Sequence, residues 1–84
     1  MPRYTVLWHK EATNDLAELW IEAIDRRSVA NAANAIDIEL NSEPATKGHE
    51  LSEGLRVFVE PPLQVLFVVR EEDRAVEVLR LKLI

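Results

Sequence analysis

Leu51-Ser-Glu-Gly-Leu-Arg-Val-Phe-Val-Glu60-Pro-Pro-Leu-Gln-Val-Leu-Phe-Val-Val-Arg70-Glu-Glu-Asp-Arg-Ala-Val-Glu-Val-Leu-Arg80-Leu-Lys-Leu83 decides the fold. It holds three β-rich runs, 55–60, 63–70 and 75–83, parted by two short breaks. Pro61-Pro62 makes the first break, because proline has no N–H to donate to a strand ladder. The polar run Glu71-Glu72-Asp73-Arg74 makes the second, at a length typical of hairpin connections. The three runs predict an antiparallel three-stranded meander. Its middle strand is apolar at consecutive positions from Val65 to Val69, the pattern of a strand covered on both faces.

Upstream, residues 3–8 (Arg-Tyr-Thr-Val-Leu-Trp) predict a first strand with Tyr4, Val6 and Trp8 on one face. Residues 10–24 predict a helix whose apolar stripe is Ala12, Leu16, Leu19, Trp20 and Ala23. Glu11, Asp15, Glu18 and Glu22 line its other side. Asp25 or Ser28 can cap a second helix over 27–41, with Val29, Ala33, Ile36 and Leu40 as its core stripe. Ala30, Ala32 and Ala35 allow it a close approach to the first helix. Residues 42–50 read as a loop by their Pro, Gly and polar content. The order β-α-α-β-β-β predicts a single α+β domain over 1–84, an αα-hairpin packed on one face of a small antiparallel sheet.

Two helices cover one face only. Val65, Phe67 and Val69 point one way, Leu66 and Val68 the other, and Phe58 shares its face with Arg56 and Glu60. A second apolar face predicts cover by a partner, either another protein or a second copy of the chain. The competing reading is that sheet curvature and the termini hide these side chains.

The chain of 84 residues has 15 acidic and 10 basic side chains, a net charge of −5. That balance argues against whole-surface nucleic-acid binding. Eight of the acids and three of the bases lie between His9 and Glu43, whereas from Gly54 onward there are five of each. The sheet is therefore locally balanced and can carry a basic patch. Cysteine is absent, so there is no disulfide or thiolate chemistry, as in a reducing compartment. His9 and His49, the only histidines, are far apart and suggest no metal site. No apolar run approaches the roughly 20 residues of a membrane span, and the N-terminus lacks the apolar core of a signal peptide. A cytoplasmic protein without membrane contact or cofactor is expected.

No nucleophile–base set stands out, and Ser28, Ser42 and Ser52 read as capping or turn residues. His49 lies in the loop just before the second predicted strand and is a candidate general base, by its residue type, or a solvated loop residue. Arg56, Arg80 and Lys82 are cations inside predicted strands. They are candidates for phosphate contact or for edge protection and salt bridges to Glu60 and Glu77.

Several stretches together carry a resemblance. These are Ala12-x-x-x-Leu16-x-x-Leu19-Trp20, the alanine-rich helix to Leu40, Leu51-x-x-Gly54-Leu-Arg56-Val-Phe, Val65-Leu-Phe-Val-Val, Asp73-Arg74 and Val76-Glu-Val-Leu. Over nearly its whole length the chain resembles the RelE/ParE superfamily of toxins from type II toxin–antitoxin modules. The resemblance implies a bacterial toxin of the plasmid-stabilisation kind, which arrests growth and is neutralised by a cognate antitoxin wrapped on its sheet and groove. RelE-like members cut mRNA in the ribosomal A site with Arg and Lys on the sheet and a C-terminal Tyr or His. ParE-like members bind DNA gyrase. Where the RelE pattern reads Tyr-Arg-Val-x-Tyr, this chain reads Leu63-Gln64-Val65-Leu66-Phe67, so Gln64 stands at the arginine position. The chain also stops at Ile84, before the basic or aromatic segment that completes the RNase site. These departures favour a toxin that binds a protein target such as gyrase. The alternatives are a ribosome-dependent endoribonuclease using Arg56, Arg80, Lys82 and His49, or a non-toxic member that only binds. The implied partner-binding residues are Phe58, Leu66, Val68, Arg56 and Gln64.

Overall fold

The computed structural model describes residues 3–84; Met1 and Pro2, at the start of the predicted domain, lie outside the described residues. The elements are β1 (Thr5–Trp8), α1 (Lys10–Glu22), α2 (Arg26–Ser42), β2 (His49–Ser52), β3 (Leu55–Glu60), β4 (Leu63–Arg70) and β5 (Ala75–Leu83). The expected α+β architecture is present, with both helices packed on one face of the sheet. The meander is β3–β4–β5, and the whole sheet is five-stranded in the order β1-β5-β4-β3-β2. It is mixed, because β1 pairs in parallel with β5 and every other pair is antiparallel.

The additional strand, β2, corrects the reading of 42–50 as loop. His49-Glu-Leu-Ser52 has little strand propensity and is held from outside. Gly48 precedes it at φ +59°. Arg56 donates from Nε to the Lys47 carbonyl at 2.9 Å and from Nη2 to the Gly48 carbonyl at 3.3 Å. The Glu50 carboxylate accepts the Gly54 N–H at 3.0 Å.

Helix α1 turns Ala12, Leu16, Leu19 and Ala23 inward, a spacing that stays on one helical face. Trp20 leaves that stripe, contrary to expectation. It is 42% exposed because it sits about 100° round the helix from Leu19. The Arg26 guanidinium lies 4.6 Å from its ring centroid and donates to the carbonyls of Trp20 and Ile21, ending α1. Asp25 caps α2, accepting the Ser28 N–H at 3.2 Å and the Ser28 hydroxyl at 2.7 Å. These bonds hold the Asp25 carboxyl below its ordinary value.

The core lies between the helices and the sheet. Val29, Ala32, Ile36 and Leu40 of α2 meet Leu63, Val65 and Phe67 of β4 and Val76, Val78 and Leu81 of β5. Ala32 takes the buried place expected of Ala33, which is only partly covered. Core positions 78 and 81 on β5 are three apart rather than two. A bulge sets both Leu79 and Arg80 against Leu66 of β4, between the pairs Leu66↔Arg80 and Phe67↔Val78.

Candidate partner-binding groove on the open sheet face

The register sorts every sheet residue onto one of two faces. Phe58 lies opposite Val65 and Arg56 opposite Phe67, so both belong to the helix-covered face. Phe58 packs against the core, and Arg56 spends its guanidinium on the loop carbonyls before β2. The predicted set of partner-binding residues is thereby divided. Leu66, Val68 and Gln64 lie on the open face, while Phe58 and Arg56 lie beneath the helices. Strand alternation is the reason, since Arg56, Phe58 and Glu60 share one parity and the register pins that parity to the core.

Across the open face run three rows. Val59, Gln64 and Lys82 form one; His49, Val57, Leu66 and Arg80 form the next; Leu55, Val68, Glu77 and Leu7 form the third. The first two rows border a shallow groove of about 320 Å³ lined by Leu51, Val57, Gln64, Leu66, Arg80, Leu81 and Lys82. Its β2–β4 side is aliphatic and its β5 side cationic. Four predicted site residues, Gln64, Leu66, Arg80 and Lys82, meet here. His49 is on the same face, exposed on the edge strand, and does not line the groove. Leu51 escapes sequence reasoning because it enters the groove through the β2–β3 pairing, and β2 has no strand signature of its own; Val57 escapes because the expectation that Phe58 faces the open side gives Val57 the covered one, whereas Val57 lies opposite Leu66.

Arg80 is held in place by α1. Strand β1 pairs only with residues 75–78 of β5, which leaves the later part of that edge to Asp15. Its carboxylate accepts Arg80 Nε at 2.7 Å, Arg80 Nη2 at 3.1 Å and the Leu81 N–H at 3.0 Å. Asp15 was expected on the solvent side of α1, yet its side chain is only 15% exposed. The Arg80 guanidinium, and then the Leu81 N–H, hold its carboxyl below the ordinary 3.8. Lys82 makes no ion pair among the described residues, and the residue opposite it on β4 is the uncharged Gln64.

At the far end of the face, Glu77 accepts from Arg70 and bonds His9 Nε2 at 2.6 Å. These two partners, Arg70 foremost, hold its carboxyl below the ordinary 4.5. Glu77 thus pairs with Arg70 and His9 and not with Arg80 or Lys82. Both depressed carboxyls contribute stability that is complete above about pH 4.5 and is lost as pH falls through their lower folded values. Asp15→Asn removes one of these contributions. With the arginine end of the fork in solvent, the expected loss is about 1 kcal/mol at pH 7. The urea midpoint of the variant should then fall less steeply than that of the wild type below pH 4. A variant with wild-type stability at pH 7 and the same acid slope would show the fork to be idle.

The groove combines an aliphatic wall, one amide and two cations. Such a set can bind and orient a ligand, and its lining residues include no histidine and no carboxylate.

No protein-family model matches the chain, and no curated protein matches its sequence. Solved structures do. The toxin–antitoxin complex RelBE2 from Mycobacterium tuberculosis superposes with a TM-score of 0.82 at 23% identity, over 100% of this chain and 94% of that one. The archaeal RelE–RelB complex from Pyrococcus horikoshii OT3 gives 0.70 at 19% identity, over 99% and 96%. The chromosomal ParDE system of P. aeruginosa gives 0.67 at 16%, over 96% of each chain. The fold is that of the RelE/ParE toxins. Among the described residues, no helix of this RelE/ParE-like chain is long and apolar enough to cross a membrane.

Proposed function

We propose that this chain is the toxin of a type II toxin–antitoxin pair, held inactive in the cytoplasm by a cognate antitoxin and acting on a protein target such as DNA gyrase. The observation that carries this reading is the full-length likeness to chains solved in RelBE and ParDE systems. The groove supports binding over cleavage, since the uncharged Gln64 lines it and His49 stays outside it. Transition-state stabilisation at a phosphate needs several aimed cations; here Arg80 is shared with Asp15 and Lys82 stands alone.

Growth of a bacterial culture after induction of this chain tests the proposal, beside a culture that also expresses the adjacent open reading frame. Arrest that the neighbour relieves is expected, together with inhibited gyrase supercoiling and intact mRNA in extracts. Normal growth with good soluble expression would overturn toxicity and leave a chain that only binds. The presence of Arg80 and Lys82 on the groove favours a second reading, ribosome-dependent mRNA cleavage. In that case, cut transcripts would replace gyrase inhibition.

A further inference from the structure

The solvent side of the αα-hairpin carries a second apolar groove, on the other side of the molecule from the open sheet face. Its floor is Leu16 and Ala33, which pack against the core, and its walls include Ala17, Trp20, Ile21 and Ala30. It measures about 500 Å³, and none of its lining residues is charged, on a chain in which 30% of residues are. Helix periodicity produces it. Thr13, Ala17, Trp20 and Ile24 each follow a core residue of α1 by one position, so they form a stripe about 100° round from the core stripe. Trp20 is 42% exposed, Ile21 62%, and Ile24, in the connection to α2, fully exposed. Covering such a contiguous apolar stripe is favourable, and a partner surface is the usual means.

The charges around this groove say what covers it. At the turn end of the hairpin stand Glu22 of α1 and Arg27 of α2, and at the opposite end Lys10 and Asp37. None of the four makes an ion pair among the described residues; the Asp37 carboxylate accepts only from the Trp8 indole, at 3.1 Å. Each helix thus changes sign along its length. A foreign segment of one sign would meet both signs here. A second copy of the chain, turned end for end, meets the opposite sign at both ends.

We propose that the chain pairs with a second copy of itself through the outer hairpin face, about a two-fold axis that crosses the helices. Helix α1 then lies antiparallel on its copy. Ala17, midway between Thr13 and Ile21, sits at the axis, where its single methyl group lets the helices approach. Ile21 of each copy enters the Thr13 end of the other's groove, while Lys10 faces the second copy's Glu22 and Arg27 the second copy's Asp37. A 13-residue helix is about 20 Å long and two side by side are about 20 Å wide, so each face offers roughly 500 Å². Two such faces reach the roughly 1,000 Å² at which a specific contact begins, which makes a weak dimer. Both copies keep the open sheet face free, so the pair carries two partner-binding faces. The proposal stands on the hairpin alone and holds whether or not the chain is a toxin.

Sedimentation equilibrium of the purified chain tests it, over loading concentrations from about 5 to about 500 µM. The mass should rise from one chain toward two, with a dissociation constant of roughly 10–100 µM. Ile21→Glu, at an exposed position, should raise that constant more than about tenfold with unchanged circular dichroism. Lys10→Glu and Glu22→Lys should each weaken pairing about two- to fivefold, and the double variant should recover the wild-type value. A single-chain mass at every concentration would overturn the proposal. So would a dimer indifferent to Ile21→Glu, or one broken instead by Leu66→Glu, which would place the contact on the sheet. A double variant no better than the weaker single one would overturn the end-for-end arrangement. A monomeric chain whose complex with the product of the adjacent open reading frame is weakened by Ile21→Glu would assign the groove to that partner and overturn self-association.

Discussion

Phe67→Ala should lower the unfolding free energy by about 4 kcal/mol. Phe67 is fully buried at the middle of the central strand, facing Arg56 on β3 and Val78 on β5. It sits in the same core cluster as Ile36 and Leu40 of α2. Truncation removes its contacts to the helix layer and both neighbouring strands, and a cavity between two rigid layers collapses poorly. A domain of this length has a total stability of about 4–13 kcal/mol, so the variant should stand near the edge of folding. Its melting midpoint should fall by roughly 20 °C. Chemical denaturation of wild type and variant checks the value. A loss below about 1 kcal/mol would mean that the helices repack onto the sheet and that Phe67 is not the centre of the core.

The second large effect concerns the wall of the groove. Gly48→Ala drives a Cβ into the Val57 carbonyl oxygen and within 2.9 Å of the Phe58 Cα, at a residue whose φ is +59°. Both obstacles are backbone, so no side-chain rotation relieves them, and the left-handed conformation adds about 1 kcal/mol for a residue with a Cβ. The variant should lose more than about 2 kcal/mol and do so locally. Strand β2 should come away from β3, taking Leu51 out of the groove and the Lys47 and Gly48 carbonyls away from Arg56. Amide exchange should accelerate across the His49↔Val57 and Glu50↔Arg56 pairs, while β4 and β5 remain protected. Wild-type protection along β2 would show that the loop can be accommodated elsewhere and would refute the close-approach account of Gly48.

Both effects concern features that differ in how far they can be read along the chain. The meander, the two helices, the Asp25 cap and the inward run of Val65 and Phe67 follow from local rules. Proline breaks a ladder, a 3.6-residue stripe needs a core, and alternation assigns faces. The division between a covered and an open sheet face follows in the same way, because Leu66 and Val68 have the opposite parity to Phe67. Parity singles out Leu66, whereas Arg80 and Lys82 stand out as cations inside strands and Gln64 through the family resemblance; all four line the groove, while the same parity argument misplaces Phe58. Trp20 shows the margin of such reasoning, since one step of 100° round α1 separates a core position from an exposed one.

Contacts between residues distant in the chain decided the rest. Strand β2 exists through Gly48, Arg56 and Glu50, none of which marks a strand. Leu51 becomes a groove wall through that pairing alone, and Val57 through its place opposite Leu66. Asp15, read along α1 as one acid among several on a solvated face, becomes the partner of Arg80 and of the Leu81 N–H because the short β1 leaves the later part of β5 unpaired on that side. Amino-acid order determined which side chains were apolar, charged or helix-forming and the period at which they recur, since those properties depend on near neighbours. Tertiary structure decided which of the strand cations has an ion-pair partner among the described residues, Arg80 with Asp15 and not Lys82, because pairing depends on what the fold brings within about 3 Å.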